Sequence, residues 1–237
     1  FQNDTKIFLG LDGNGLNVYN KKTKKIQLYD KDKIKAKYIQ KIIQTKDNNI
    51  WLGTFDNGLI KFNEKSEKVI KYTNHFNDNQ SLSFDDVRDI IEDEKNNLWI
   101  ATWGGGLNYL DVTNGKFSRF KLPNNNIVSI LKDKNKIWVA SFGGGLNLFD
   151  STTKNVKTFS YKELDSTTIS SNNLFSILKD TKGYLWIGTS GEGVNRMNLK
   201  TNKVERFQNL ENIKYRTITS IIEDNESNIW FGTKKGI

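Results

Sequence analysis

Side chains able to do chemistry are few in this chain. The 237 residues contain no cysteine and one histidine, His75, so a Cys/His zinc site, a cysteine nucleophile and His-based acid–base catalysis all lack their parts. Among 27 acidic residues, no spacing singles out a catalytic carboxylate pair. What recurs is a set of aromatic and charged side chains just ahead of glycine-rich turns. Phe55 and Asp56 precede Gly58, Trp103 precedes Gly104–Gly106, Phe142 precedes Gly143–Gly145, and Glu192 precedes Gly193. Aromatic rings at turn tips can stack on the apolar face of a sugar, whereas the competing reading packs each ring on its neighbouring repeat. Arg88 could meet an acidic ligand through its planar fork. The candidate ligand-binding residues are therefore Phe55, Asp56, Arg88, Trp103, Phe142 and Glu192; no catalytic residue, metal ligand or cofactor is expected. The glycine triplets lack the helix and Lys of a phosphate-binding loop, and tight-turn geometry accounts for them.

The elements that must position these residues repeat. Six anchor segments align: Phe8-Leu9-Gly10-Leu11, Trp51-Leu52-Gly53-Thr54, Trp99-Ile100-Ala101-Thr102, Trp138-Val139-Ala140-Ser141, Trp186-Ile187-Gly188-Thr189 and Trp230-Phe231-Gly232-Thr233. Their spacings are 43, 48, 39, 48 and 44 residues, a period that suits four-stranded propeller blades. Each period holds a strand a with an apolar pair (Ile42/Ile43, Ile90/Ile91, Ile177/Leu178), the anchor strand b, an alternating strand c such as Leu107-Asn108-Tyr109-Leu110, and a strand d such as Phe117-Ser118-Arg119-Phe120. Period-two alternation in runs this short is a half-buried strand signal. The chain is read as an all-β propeller of four-stranded antiparallel blades, a single β-propeller over residues 1–237 with anchors at 8, 51, 99, 138, 186 and 230. The anchor tryptophans are assigned to core packing.

Between a and b, Asp93, Asp133, Asp180 or Asp224 can cap backbone N–H groups, with Thr45 at that place in the second copy. From the last aromatic of strand d to the residue opening the next strand a, the connection holds 8, 13, 5, 13 and 9 residues. Removing it leaves a scaffold constant to one residue, so the variation sits where a propeller diversifies a binding face. Topology puts this connection and the b-to-c turn on the same face.

Charge and composition bound the partners. Net charge is +9, from 31 Lys and 5 Arg spread along the chain among 30 Asn. A nucleic-acid footprint clusters its basic residues and favours Arg, so no nucleic-acid partner is expected. Mean hydropathy is −0.62, and no apolar run approaches the about 18 residues that span a bilayer.

The pattern Ile-x-x-Ile-x-x-Asp-x-x-x-x-(Ile/Leu)-Trp-Ile-Gly-Thr-x-x-Gly-Gly-Leu resembles the two-component regulator propeller repeat, over essentially the whole chain in six copies. That resemblance implies the periplasmic sensor part of a membrane-anchored hybrid two-component receptor. Such a receptor would bind an oligosaccharide, work as a homodimer and pass its signal to a histidine kinase elsewhere in the receptor. The +9 charge points to an acidic glycan. The alternative is a propeller that binds a polypeptide without any small ligand. Both chain ends fall inside a repeat, which reads as an excerpt of a longer receptor with residues 1–3 the stub of a strand a. Two enzyme classes fit poorly. Sialidase Asp boxes need a Thr before the Trp that is missing here, and a streptogramin-lyase-like general base would have to be His75.

Overall fold

The computed structural model describes residues 1–29, 34–207 and 216–236. They divide into two compact units, Phe1–Lys121 and Leu122–Ile237. Ile237 and parts of the first and fifth d-to-a connections lie outside the described residues.

The first unit carries three sheets. The first comprises β1 (Lys6–Leu11), β2 (Gly15–Asn20) and β3 (Lys25–Leu28); the second, β4 (Ile39–Gln44), β5 (Ile50–Thr54), β6 (Leu59–Phe62) and β7 (Val69–Tyr72); the third, β8 (Val87–Glu92), β9 (Leu98–Thr102), β10 (Gly106–Asp111) and β11 (Lys116–Phe120). The second unit holds two four-stranded sheets: β12 (Ile127–Asp133), β13 (Lys136–Ser141), β14 (Gly145–Asp150) and β15 (Val156–Phe159), then β16 (Leu174–Lys179), β17 (Tyr184–Thr189), β18 (Val194–Asn198) and β19 (Val204–Phe207). A pair, β20 (Ile218–Glu223) and β21 (Ile229–Thr233), follows. Every sheet is an antiparallel meander in sequence order, and the four sheets with four strands are propeller blades. Gln2 bridges Ile7 on the free edge of β1, which puts the opening residues in the strand-a place.

Packing between sheets explains the anchor strands. β5 and β9 are buried at all positions, not at alternate ones, because both faces of a central strand are covered. Trp51, Leu59, Val87, Ile90, Leu98, Ile100, Leu110 and Phe117 form one core between the second and third sheets. Trp138, Leu146, Leu174, Ile177, Leu185 and Ile187 form its counterpart in the second unit. Full burial of each such side chain stabilises the fold by about 1.5–3 kcal/mol. Gly53 permits the close approach: a Cβ there would lie 2.9 Å from both Val87 Cγ1 and the Val87 carbonyl oxygen. Trp51, Trp99 and Trp138 are buried as expected, whereas Trp230 is 47% exposed. Its sheet has two strands, and no third strand covers the indole among the described residues.

The a-to-b carboxylates do more than cap a turn. Asp180 accepts the Tyr184 N–H at 2.8 Å on one oxygen and the Trp186 indole N–H at 2.8 Å on the other. Asp224 accepts the N–H groups of Glu226 and Asn228 and the Trp230 indole at 2.7 Å. In the second sheet the Thr45 hydroxyl takes the Trp51 indole at 3.2 Å. In the fourth repeat the hairpin from Asp133 to Trp138 is one residue shorter, and Asp133 instead accepts Lys179 Nζ at 2.9 Å.

Candidate functional site

Two local devices present side chains at one edge of the sheets. The first is the b-to-c turn. In four anchor strands the last residue turns its hydroxyl onto the glycine carbonyl that closes the turn: Thr54 to Gly58 at 2.8 Å, Thr102 to Gly106 at 2.9 Å, Ser141 to Gly145 at 3.1 Å, Thr189 to Gly193 at 2.8 Å. Gly58 has φ of +67° with the Tyr72 carbonyl directly where a Cβ would stand, so no other residue fits there. The residue after that Thr or Ser then donates its backbone N–H to the carbonyl of the residue that opens strand a: Phe55 to Tyr38 at 3.1 Å, Trp103 to Asp86 at 2.9 Å, Phe142 to Asn126 at 2.9 Å, Ser190 to Asn173 at 2.9 Å. These bonds fix the tip residues in equivalent places.

The second device is a β-bulge at the start of every complete strand a. Pairing shifts between Ile39 and Lys41, Val87 and Asp89, Ile127 and Ser129, Leu174 and Ser176, and Ile218 and Ser220. The skipped residues are Gln40, Arg88, Val128, Phe175 and Thr219. A bulge re-aims one side chain without disturbing the rest of the strand.

In the first unit these devices bring four of the six expected residues together. The Arg88 guanidinium lies 5.0 Å from the Trp103 ring centroid and 5.8 Å from that of Phe55, which is cation–π range for both. Its Nη2 donates to Asp86 Oδ2 at 2.6 Å, and Gln40 Nε2 donates to Asp86 Oδ1 at 2.9 Å. Burial pushes the Asp86 carboxyl above the usual carboxylate range, with the Arg88 bond pulling against it. The buried Arg88 Nε has no hydrogen-bond partner. Tyr38 meets Phe55 edge-on at 6.0 Å, and Phe55 remains 50% exposed. A cavity of about 550 Å³ opens beside these groups, lined by Asp12, Tyr38, Gln40, Phe55, Asp56 and Arg88 with Gly10 and Ile39. Its volume lies in the range of small-molecule sites.

Phe142 and Glu192 belong to the second unit. Phe142 packs on the bulge residue Phe175 at 5.7 Å. The Glu192 backbone is held between Thr189 Oγ1 and Ser170 Oγ. His75 sits exposed in the connection 73–85, its N–H donating to Ser81 Oγ at 2.9 Å.

Tyr38, Asp12 and Gln40 complete the cavity wall but were not among the six. The bulge aims Gln40 there, and a bulge depends on strand pairing that a single sequence does not display. The order of the two 13-residue connections was equally hidden. Arg119 Nε and Nη2 donate to the carbonyls of Ser81, Asp78 and Leu82 and to Ser81 Oγ at 2.8–3.1 Å. Arg206 repeats the clamp on Thr168, Asp165 and Ile169. Strand-c asparagines add a second hold: Asn108 accepts the Ser83 N–H and Asn195 that of Ser170. Each long connection is thus fixed in place by an arginine of its own unit.

Comparison with known proteins agrees with this architecture. The model of the family described as "Two component regulator propeller" matches residues 33–56, 81–104, 121–143, 168–191 and 212–235, together half of the chain. No curated protein sequence matches significantly. Among solved structures, the extracellular domain of a protein described as a one-component system from B. thetaiotaomicron superposes with a TM-score of 0.80 at 24% identity, over 100% of this chain and 31% of that one. One described as a hybrid two-component system from B. thetaiotaomicron gives 0.65 at 22% identity, over 98% of this chain and 38% of that one. Virginiamycin B lyase from Staphylococcus aureus gives 0.75 at 18% identity, over 98% of this chain and 75% of that one. The chain therefore spans about a third of the length of the first two. At these identities the likeness is one of fold.

Proposed function

The chain belongs to the two-component regulator propeller family, and from that premise we propose that it is an extracytoplasmic ligand-sensing module of a hybrid two-component receptor. It binds an oligosaccharide at the cavity lined by Phe55 and Arg88, with Trp103 stacked behind Arg88, and passes the signal to a histidine kinase domain elsewhere in the receptor, in a periplasmic, membrane-anchored homodimer. The observation that carries this reading is Arg88 held between two rings beside an open cavity. Aromatic faces with polar groups at fixed positions between them are what a sugar site needs. The tip and bulge residues are tied to rigid backbone, so a ligand that bridges them favours one arrangement of neighbouring repeats, and that bias is the signal.

Catalysis has little to work with. The lyase-type neighbour does not change this, because His75 lies exposed in a surface connection and is absent from the cavity wall. A second reading, a protein-interaction propeller, draws on exposed Phe76 and Phe84 of the connection 73–85. A glycan-library thermal-shift screen on the intact protein separates the two. Stabilisation by a glycan that Trp103→Ala abolishes supports the sensor; no shift from any glycan moves the assignment to a protein partner.

A further inference from the structure

The charge +9 of the whole chain says nothing about the field inside the cavity, and there the balance is reversed. Arg88 is the one cationic side chain among the described residues that line it, and its charge is already met by Asp86 at 2.6 Å. Asp12, from the turn after β1, and Asp56, from the turn after β5, add two exposed carboxylates to the wall. On the neighbouring strands Lys41 of β4 is paired with Asp89 of β8 at 2.7 Å, so it adds no free cation. From this arrangement, and resting on the oligosaccharide reading above, we propose that the cavity takes an uncharged saccharide and rejects uronate or sulfated ones.

The wall displays two kinds of group. Carboxylates at Asp12 and Asp56 only accept hydrogen bonds, and the Arg88 guanidinium only donates. An anionic sugar would face two like charges with no free cation to offset them, and a ligand ammonium would face Arg88. A neutral hydroxyl can donate to Asp12 or Asp56 and accept from Arg88, satisfying both with charge-assisted bonds. Such exclusion by like charge is a common source of specificity. Arg88 accordingly serves as a stacked donor between Phe55 and Trp103, not as an anion receptor.

The test is calorimetric titration of the intact protein with β-1,4-linked tetrasaccharides of glucose, galactose and mannose, each beside its C6-carboxylate counterpart. The neutral member of the pair that binds should do so at least about tenfold more tightly at low salt, with the difference shrinking as salt is raised. In the double variant Asp12→Asn/Asp56→Asn the preference should collapse to within about twofold with an unchanged melting temperature, since both side chains are exposed. A carboxylate tetrasaccharide that binds as tightly as its neutral partner, or a preference that survives the double variant, overturns the proposal. Binding by no member of any pair overturns the oligosaccharide reading itself.

Discussion

Arg88 lies over the ring of Phe55 from the preceding repeat at 5.8 Å, the same relation in which Phe175 meets Phe142 at 5.7 Å. In both places the bulge residue of one repeat covers the turn-tip aromatic of the repeat before it. One geometry thus gives an apolar contact in the second unit and a charged, cavity-lining contact in the first. The difference rests on the residue that the bulge ejects.

The Arg119 clamp makes a prediction about local order. Arg119→Ala removes four hydrogen bonds to residues 78–82 and should cost about 1.5–3 kcal/mol. Amide exchange should accelerate in residues 74–83 while residues 161–170, held by Arg206, keep their protection. Equal exchange in both connections would show that the clamp does not hold them.

Gly53→Ala should destabilise by about 1–3 kcal/mol, because the added methyl meets backbone as well as side-chain atoms of Val87 at 2.9 Å. The third repeat carries Ala101 at the equivalent position of its anchor strand, so Ala101→Gly should not produce a matching gain. Urea denaturation of both variants reads this directly. A neutral Gly53→Ala would mean that the sheets do not pack this closely.

Tyr109 titrates late. Burial, then the hydrogen bond from its hydroxyl to Asp93 at 2.9 Å, push its pKa up to about 12. The folded chain therefore keeps a proton that the unfolded chain releases near pH 10, so this contribution to stability is whole below about pH 10 and is lost as pH rises through about 12. Tyr109→Phe should flatten the alkaline fall in melting temperature between those values. An unchanged slope would place the proton elsewhere.

Much of the fold was legible because its cause is local. Alternation in Leu107–Leu110 and Leu146–Phe149 needs no knowledge of partners, and the constant 35-residue scaffold, one residue shorter in one repeat, traces to the short hairpin at Asp133. The carboxylates at Asp180 and Asp224 were readable as turn caps, yet their bonds to Trp186 and Trp230 were not, since the indole approaches only once two strands pair in register. Phe55, Asp56, Arg88 and Trp103, which the structure brings together, were singled out as candidates from their place in the repeat and their residue type. Gln40 and Tyr38 were not placed with them, because the bulge that aims Gln40 depends on pairing across β4 and β5. The clamp escaped for a related reason: Arg119 acts on a segment about 40 residues away, and nothing at its own position announces it.

The proposed sugar site is walled by Phe55 and by Arg88, whose guanidinium lies over the Trp103 ring. Isothermal titration of the best glycan hit against the intact protein, Trp103→Ala and Phe55→Ala tests it most directly. Each variant should lose about tenfold to a hundredfold in affinity, corresponding to about 1.4–2.8 kcal/mol, with melting temperature held within a few degrees for Phe55→Ala because that ring is half exposed. Unchanged affinity in both variants would contradict it and put the ligand somewhere other than the Arg88 cavity.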